Sequence, residues 1–130
     1  MTNKNFTVSS EIFFGSERTK EEDYLVITDG FGSGCRSSVG KQGGRQYLWL
    51  SKDPINPEKN CLTDGKIVHE LMHTFGFYHE HVRPDRDDYI KIKKENVKDY
   101  KVRRILFDIM KDSSTFNVDY DGQSIMHYSR

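Results

Sequence analysis

Four of the five histidines lie between residues 69 and 81. His69 and His73 are four residues apart, so on a helix their imidazoles lie on one face, one turn apart, and close enough to share a metal ion. Imidazole nitrogen is a common ligand of zinc, which favours four ligands in tetrahedral geometry. The spacing therefore predicts two metal ligands on one helix, and a third must approach from another direction.

His79 can supply that third ligand only if the helix ends before it. At about 100° per residue, six more helical residues would carry its side chain roughly 240° around the axis from His73, away from the metal. Gly76 can end the helix, because glycine adopts the left-handed conformation of a C′ position without a Cβ clash. Three neutral imidazoles would leave a fourth position open, which is typical of a catalytic zinc site rather than a structural one.

Glu70 follows the first histidine and lies too far round the helix to join the ligands, but it can reach water in the open position. We expect it to act as a general base that takes a proton as water attacks an amide carbonyl and then returns it to the leaving nitrogen. Most histidines are ordinary surface or core residues. The pattern HExxHxxGxxH, however, should arise by chance on the order of once in a hundred thousand chains of this length. His81 matches no ligand position, and we expect it on the surface.

The composition favours one small domain. Charged residues make up 31% of the 130 residues and apolar residues only 35%, and Lys+Arg and Asp+Glu number 20 each. A chain without net charge has no field to hold nucleic acid, so we expect no such partner. No apolar run reaches the length of a membrane span. We expect a soluble monomer.

The elements that must position the histidines are strands followed by a helix. Apolar residues at helical spacing predict a buried amphipathic helix over Gly65–Phe75, with Thr63 or Asp64 as N-cap. A weaker pattern predicts a second helix over Glu95–Met110. Runs rich in β-branched and aromatic residues, punctuated by glycines, predict the strands. These are Glu11–Phe14, Tyr24–Thr28, a short edge strand within Cys35–Val39, and Arg45–Leu50.

The two cysteines, Cys35 and Cys61, are not spaced as a CxxC metal or redox pair. They form either one disulfide or two buried thiols, and we favour the disulfide. Closing a loop of this length stabilises a fold by roughly 3 to 4 kcal/mol in the chain-entropy model. A disulfide would also indicate an oxidising compartment.

The histidine segment resembles the astacins, a branch of the metzincin zinc endopeptidases. His69–Glu80 followed by Arg83–Asp87 matches the extended astacin signature, in which HExxHxxGFxHE leads into RxDRD. Ser124–Tyr128 resembles the Met-turn of the family, and Gly34–Gln46 resembles its edge-strand region. The resemblance spans about residues 11–130.

The resemblance implies roles for residues whose chemistry the spacing leaves open. Met126 would form an apolar floor beneath the zinc histidines, although by itself it indicates only a core residue. Tyr128 would be an additional zinc ligand that swings away to stabilise the oxyanion, a role that suits a phenol donor. His127 would not bind metal. Structural ion pairs would be formed by Arg83, Asp85 and Arg86.

The implied fold is α+β. A metzincin-like N-terminal subdomain, with a twisted mixed β-sheet and an active-site helix, would be followed by a truncated C-terminal subdomain that ends at the Met-turn. Residues 1–10 would be a polar lead and residues 11–130 the C-terminally incomplete catalytic domain. The resemblance also implies secretion, although the chain shows no signal peptide.

The edge strand is the implied substrate site. Cys35, Arg36, Ser37 and Ser38 would pair with an extended protein or peptide substrate by strand addition. Pairing of Cys35 with Cys61 would match one of the family's two disulfides. Cleavage of chains rather than of small molecules would follow from this mode of binding.

The sequence therefore predicts a zinc-dependent endopeptidase with one catalytic Zn²⁺ on His69, His73 and His79, assisted by Glu70 and Tyr128. The alternative is a zinc-binding, catalytically weak or inactive domain that binds peptides along its edge strand. Its motivation is the missing C-terminal subdomain, which would wall one side of the cleft and help to exclude water. The intact Glu70 favours the enzyme, because a binding module has no chemical need for that carboxylate.

Overall fold

The structure is a computed structural model that describes residues 20–30, 34–99 and 104–128. Within these ranges the chain forms three β-strands and one α-helix, joined by loops and short 3-10 helices. The α+β class is therefore confirmed. The strand predicted over Glu11–Phe14 and the polar lead of residues 1–10 lie outside the described residues.

The strands form one mixed sheet. Strand β1 spans Tyr24–Thr28, β2 spans Cys35–Ser37 and β3 spans Arg45–Leu50. The central strand β3 is parallel to β1 and antiparallel to β2. Within the described residues β2 is thus an edge strand, as predicted, although it ends at Ser37 rather than at Val39.

The apolar core lies between the sheet and the helix. Alternate residues of β3 point inward, so Leu48 is fully buried and Leu50 nearly so, whereas Tyr47 and Trp49 stack on each other on the opposite face. The disulfide joins Cys35 to the fully buried Cys61 and thereby ties the edge strand to the start of the helix. Partly buried residues that pack against this core are Leu25, Cys35, Ile67 and Leu71.

Helix α1 spans Asp64–Thr74, one residue earlier at each end than predicted, with Thr63 as its extended N-cap residue. Its apolar stripe packs on the sheet because Ile67 and Leu71 are one turn apart and face the core. Glu70 and His73 are also buried, which leaves two polar side chains of α1 inside the molecule.

The helix ends in a Schellman motif centred on Gly76. Gly76 has φ of +101°, and its N–H donates to the carbonyl of His73 at 2.9 Å. The N–H of Phe77 donates to the carbonyl of Met72 at 3.0 Å, which completes the motif. The predicted turn at Gly76 is confirmed, and it frees the following chain to leave the helix axis.

Beyond Gly76 the described residues contain no α-helix, so the helix predicted over Glu95–Met110 is wrong. Only 3-10 turns at Lys94–Asn96 and Arg104–Phe107 appear there. Asp99 has φ of +55°, which interrupts any α-helical run. Ile105, one of the described residues that suggested the pattern, is 71% exposed and does not face a core. Across the described residues no helix has the length and apolar character of a membrane span.

Candidate metal centre

His69, His73 and His79 converge at the end of α1, as their spacing predicted. The Nε2 atom of His79 lies 3.2 Å from that of His73 and 3.2 Å from that of His69. Their possible ligand atoms all lie within 4.8 Å of one another. Nitrogens at zinc–nitrogen bond length around a tetrahedral ion lie about 3.3 Å apart, so the three rings are spaced for zinc.

Backbone carbonyls fix which nitrogen of each helical ring faces the site. Nδ1 of His69 lies 2.7 Å from the carbonyl oxygen of Ile125, and Nδ1 of His73 lies 2.8 Å from that of Phe77. Because a carbonyl only accepts, each Nδ1 carries the proton and each Nε2 presents a lone pair. Metal-ligating histidines usually have such a partner on the second nitrogen.

Burial favours the neutral form of His73 and His79, which metal binding requires. It lowers the pKa of His79 to about 3, and the charges of His73, His69 and His81 contribute to that shift. The pKa of His73 is also lowered, mainly by burial. Three nitrogen lone pairs directed at one point repel each other unless a cation lies between them. The donor set thus fits zinc.

Glu70 lies beside these ligands as a buried acid, 6% exposed. Burial raises the pKa of its carboxyl group, while electrostatic attraction to His69 and to the backbone of Ser37 opposes that shift. Oε2 of Glu70 has no hydrogen-bond partner among the described residues. This oxygen can therefore accept a proton or a hydrogen bond from water.

The edge strand is hydrogen-bonded directly to α1. Oγ of Ser37 lies 2.8 Å from Oγ1 of Thr74, and the Thr74 hydroxyl is 3.2 Å from the carbonyl oxygen of Glu70. The N–H of Gly40 donates to the carbonyl of His73 at 2.8 Å. These contacts place β2 next to Glu70. Sequence reasoning missed them, since neither Ser37 nor Thr74 belongs to a recognisable spacing.

Tyr128 lies against the third ligand. Its ring centroid is 4.5 Å from that of His79 and 4.1 Å from that of His81. Burial raises the pKa of its phenol, so the hydroxyl stays protonated at neutral pH. The structure thus brings Tyr128 to the side of the metal centre formed by His79.

The other residues of the Met-turn are fixed by hydrogen bonds. Met126 is 3% exposed, and its carbonyl accepts the N–H of Glu80 at 2.9 Å. Nε2 of His127 lies 2.6 Å from the hydroxyl of Tyr120, and its Nδ1 lies 2.7 Å from the carbonyl oxygen of Tyr128. Both nitrogens of His127 are therefore engaged away from the three ligands.

The prediction that His81 lies on the surface is wrong, because the residue is 1% exposed. The chain turns inward at Glu80–Val82, directly after the third ligand. Nε2 of His81 then reaches the carbonyl oxygen of Leu106 at 2.9 Å, while its ring packs on Tyr128. Burial lowers the pKa of His81. A histidine outside the ligand spacing thus serves as packing behind the site.

Comparison with known proteins identifies the family. The sequence profile of the peptidase family Astacin matches residues 4–130. This chain is an astacin. Zinc metalloproteinase nas-12 of Caenorhabditis elegans is 47% identical over 113 residues, which is 86% of this chain and 27% of that protein. Bone morphogenetic protein 1 of Xenopus laevis is 41% identical over 114 residues, covering 88% of this chain and 15% of that protein.

A solved structure shows the same fold. High choriolytic enzyme 1, a hatching enzyme zinc-protease from the medaka Oryzias latipes, aligns with a TM-score of 0.74 and 37% identity over 87% of this chain. The astacin chain spans 51% of that structure and between 10% and 30% of the length of the curated relatives that it matches. The metzincin-like α+β fold and the fit of the histidine triad to zinc thus agree with the family.

Proposed function

We propose that this chain is a zinc-dependent endopeptidase that hydrolyses peptide bonds in extended protein or peptide substrates. The observation that carries the proposal is the convergence of three Nε2 lone pairs beside the buried Glu70, whose Oε2 has no partner among the described residues. His69, His73 and His79 would hold one Zn²⁺, with Tyr128 as an additional ligand. We assign the activity to residues 11–130.

Glu70 is the proton carrier of the reaction. When bound, zinc supplies Lewis acidity, which polarises a carbonyl oxygen and lowers the pKa of water. Glu70 takes the proton from the attacking water and delivers it to the nitrogen of the departing amine.

Tyr128 stabilises the negative charge that develops on the substrate oxygen. Its phenol is protonated at neutral pH and therefore can donate a hydrogen bond. A donor that meets full negative charge only in the transition state accelerates the reaction without tightening substrate binding. Met126, which is 3% exposed, supplies an apolar floor for the ligands.

The substrate lies along the edge of β2 that pairs with no strand of the described residues. The hydroxyl of Ser37 lies 2.8 Å from that of Thr74, so β2 runs beside the helix that carries Glu70. An extended chain that pairs with Cys35, Arg36, Ser37 and Ser38 brings one of its peptide bonds next to Glu70. This arrangement favours polypeptides as substrates.

A peptide-binding module without catalysis is the other candidate, and the environment of Glu70 argues against it. A buried acceptor without a hydrogen-bond partner costs about 1 to 3 kcal/mol. A protein that only binds peptides has no use for a carboxylate oxygen without a hydrogen-bond partner. A protease needs that oxygen to accept a proton, which explains why the cost is tolerated.

Replacement of Glu70 by Gln tests the proposal. The side chain keeps its shape and loses its base, so we expect the variant to bind one zinc per chain and to cleave a denatured protein about a hundred to ten thousand times more slowly. The exposed Glu58 provides the matched control, since Glu58→Gln should cleave at the wild-type rate. Chelation should abolish cleavage, and added zinc should restore it. Cleavage by Glu70→Gln at the wild-type rate would refute the mechanism, and zinc binding without any wild-type cleavage would favour the binding module.

We also propose that the protein is secreted and acts as a monomer. The Cys35–Cys61 disulfide supports secretion, because such bonds persist in oxidising compartments.

A further inference from the structure

Arg83 uses every N–H of its guanidinium group. Nε and Nη2 donate to the two carboxylate oxygens of Asp85 at 2.9 and 2.8 Å, and Nη1 donates to Oε1 of Glu80 at 2.8 Å. The remaining two N–H groups donate to the carbonyl oxygens of Asp119 at 3.2 Å and Val118 at 2.8 Å. The side chain is 11% exposed. An arginine has five donors in a fixed fork, so no other side chain can reproduce this set.

These bonds join two segments that are far apart in the sequence. The loop of residues 118–121 is held against the segment that directly follows His79. The N–H of Asp121 also donates to Oε1 of Glu80 at 3.0 Å, and the guanidinium lies 5.5 Å from the ring centre of Tyr120. We call Glu80, Arg83, Asp85 and residues 118–121 the arginine clamp.

The clamp leads directly into the Met-turn. Tyr120, held under Arg83, places its hydroxyl 2.6 Å from Nε2 of His127. Within the Met-turn, residues 124–128, the carbonyl of Ile125 accepts the proton of Nδ1 of His69 at 2.7 Å. A shift of the loop would therefore move the carbonyl that orients one metal ligand.

We propose that Arg83 is a positioning residue for the metal centre. By fixing loop 118–121 it fixes the Met-turn, and thereby the orientation of His69 and the location of Tyr128. The family resemblance assigned Arg83 only to structural ion pairs. The proposal goes beyond peptide cleavage, and only its kinetic consequence rests on the proposed function.

Arg86 provides a matched control from the same segment. Its side chain is 10% exposed, against 11% for Arg83, and donates to the carbonyl oxygens of His81 at 2.7 Å and Phe107 at 2.9 Å. The hydrogen bonds of its side chain within the described part of the chain reach residues 81, 87 and 107, not the arginine clamp. A structural role shared by all buried arginines would therefore affect both residues alike.

The test compares Arg83→Lys with Arg86→Lys in the full chain, each loaded with Co²⁺ in place of zinc. Cobalt absorption bands report ligand geometry, and competition with a chromophoric chelator gives the affinity. We expect Arg83→Lys to bind cobalt about tenfold more weakly, with shifted bands, since partners of metal-ligating histidines typically contribute on this scale. Arg86→Lys should unfold at a lower temperature, yet keep wild-type bands and an affinity within about twofold of wild type.

Asp85→Asn keeps the test valid if Arg83→Lys fails to fold. The side chain of Asp85 is 30% exposed, so the variant should fold. Because Asn weakens the paired hydrogen bonds with Arg83, cobalt binding should be about two- to threefold weaker than in wild type. Wild-type cobalt affinity and bands in both Arg83→Lys and Asp85→Asn would overturn the proposal. Equal changes in Arg83→Lys and Arg86→Lys would overturn it as well.

The kinetic arm separates this proposal from the proposed function. With an active wild-type chain, Arg83→Lys should lower kcat and leave KM within about twofold, because β2 is not touched. A wild-type chain that never cleaves refutes the proposed function. The cobalt measurements would then still support or overturn the positioning role.

Discussion

The chain before Gly76 and the chain after it are stabilised in different ways. Residues 20–76 contain the sheet and α1 around an apolar core of Leu48, Leu50 and Cys61. The described part of residues 77–128 contains short turns, and its buried side chains include His81 and Arg86 as well as Val82 and Met126. In that part of the chain, hydrogen bonds from the two polar side chains to backbone carbonyls take the place of an extended apolar core.

The metal centre lies where the two regions meet. We call residues 20–76 the regular half and residues 77–128 the irregular half. His69 and His73 come from the regular half, whereas His79 and the carbonyl that orients His69 come from the irregular half. Apolar packing is non-directional and tolerates small shifts, but hydrogen bonds to carbonyls require definite positions. The regular half therefore supplies stability, and the irregular half supplies the orientation of the ligands.

Loss of the disulfide should have the largest effect on the regular half. The bond closes a loop with a sequence separation of 26, so replacing Cys35 and Cys61 together by Ser should lower the free energy of unfolding by about 3 kcal/mol. Denaturant unfolding of the zinc-loaded chain measures this. Wild type in reducing agent is the control and should lose a similar amount. A loss below about 1 kcal/mol would mean that the core alone stabilises this half.

Gly76→Ala, at the junction, should have an intermediate effect. The left-handed φ of +101° costs an alanine about 1 to 2 kcal/mol. Relaxation of the turn would also displace His79, so zinc affinity should fall together with stability. Thermal unfolding with and without zinc measures both.

Gly65→Ala is the matched control for that substitution. Gly65 lies in α1, where an added Cβ would meet Cδ1 of Ile125 at an ordinary 3.9 Å. Alanine there should stabilise the fold by about 0.5 to 1 kcal/mol. Equal behaviour of the two variants would show that the turn at Gly76 does not matter.

The pH dependence of the metal-free chain should show the smallest effect. Because the pKa of His79 is lowered from its ordinary value of 6.5 to about 3, the unfolded chain binds a proton first as the pH falls. The stability that neutral His79 contributes is complete above pH 6.5 and is lost progressively towards pH 3. Between about pH 7.5 and 5.5 wild type should lose about 1 kcal/mol more than His79→Gln. Denaturant unfolding at each pH measures this difference. An equal pH dependence of the free energy of unfolding in the two proteins would contradict the lowered pKa of His79.

The regular half was predictable in detail. Strands Tyr24–Thr28 and Arg45–Leu50 have the predicted bounds, and α1 differs by one residue at each end. In this half the apolar residues follow a strong strand or helix period, and Gly76 marks the end of α1. The predicted helix Glu95–Met110 is wrong because, among the described residues of that range, Asp99 has a positive φ and the apolar Ile105 is exposed.

By itself the sequence determined which residues can bind the metal, because ligand identity depends on imidazole chemistry, on helical spacing and on the one residue type that ends a helix with positive φ. Only the tertiary structure decided how those ligands are held. The carbonyls of Ile125 and Phe77 orient His69 and His73, and the N–H of Gly40 donates to the carbonyl of His73. Every residue carries a carbonyl, and nearly every residue an N–H, so such partners leave no mark in the sequence. They become specific only when the folded chain brings them within hydrogen-bonding distance.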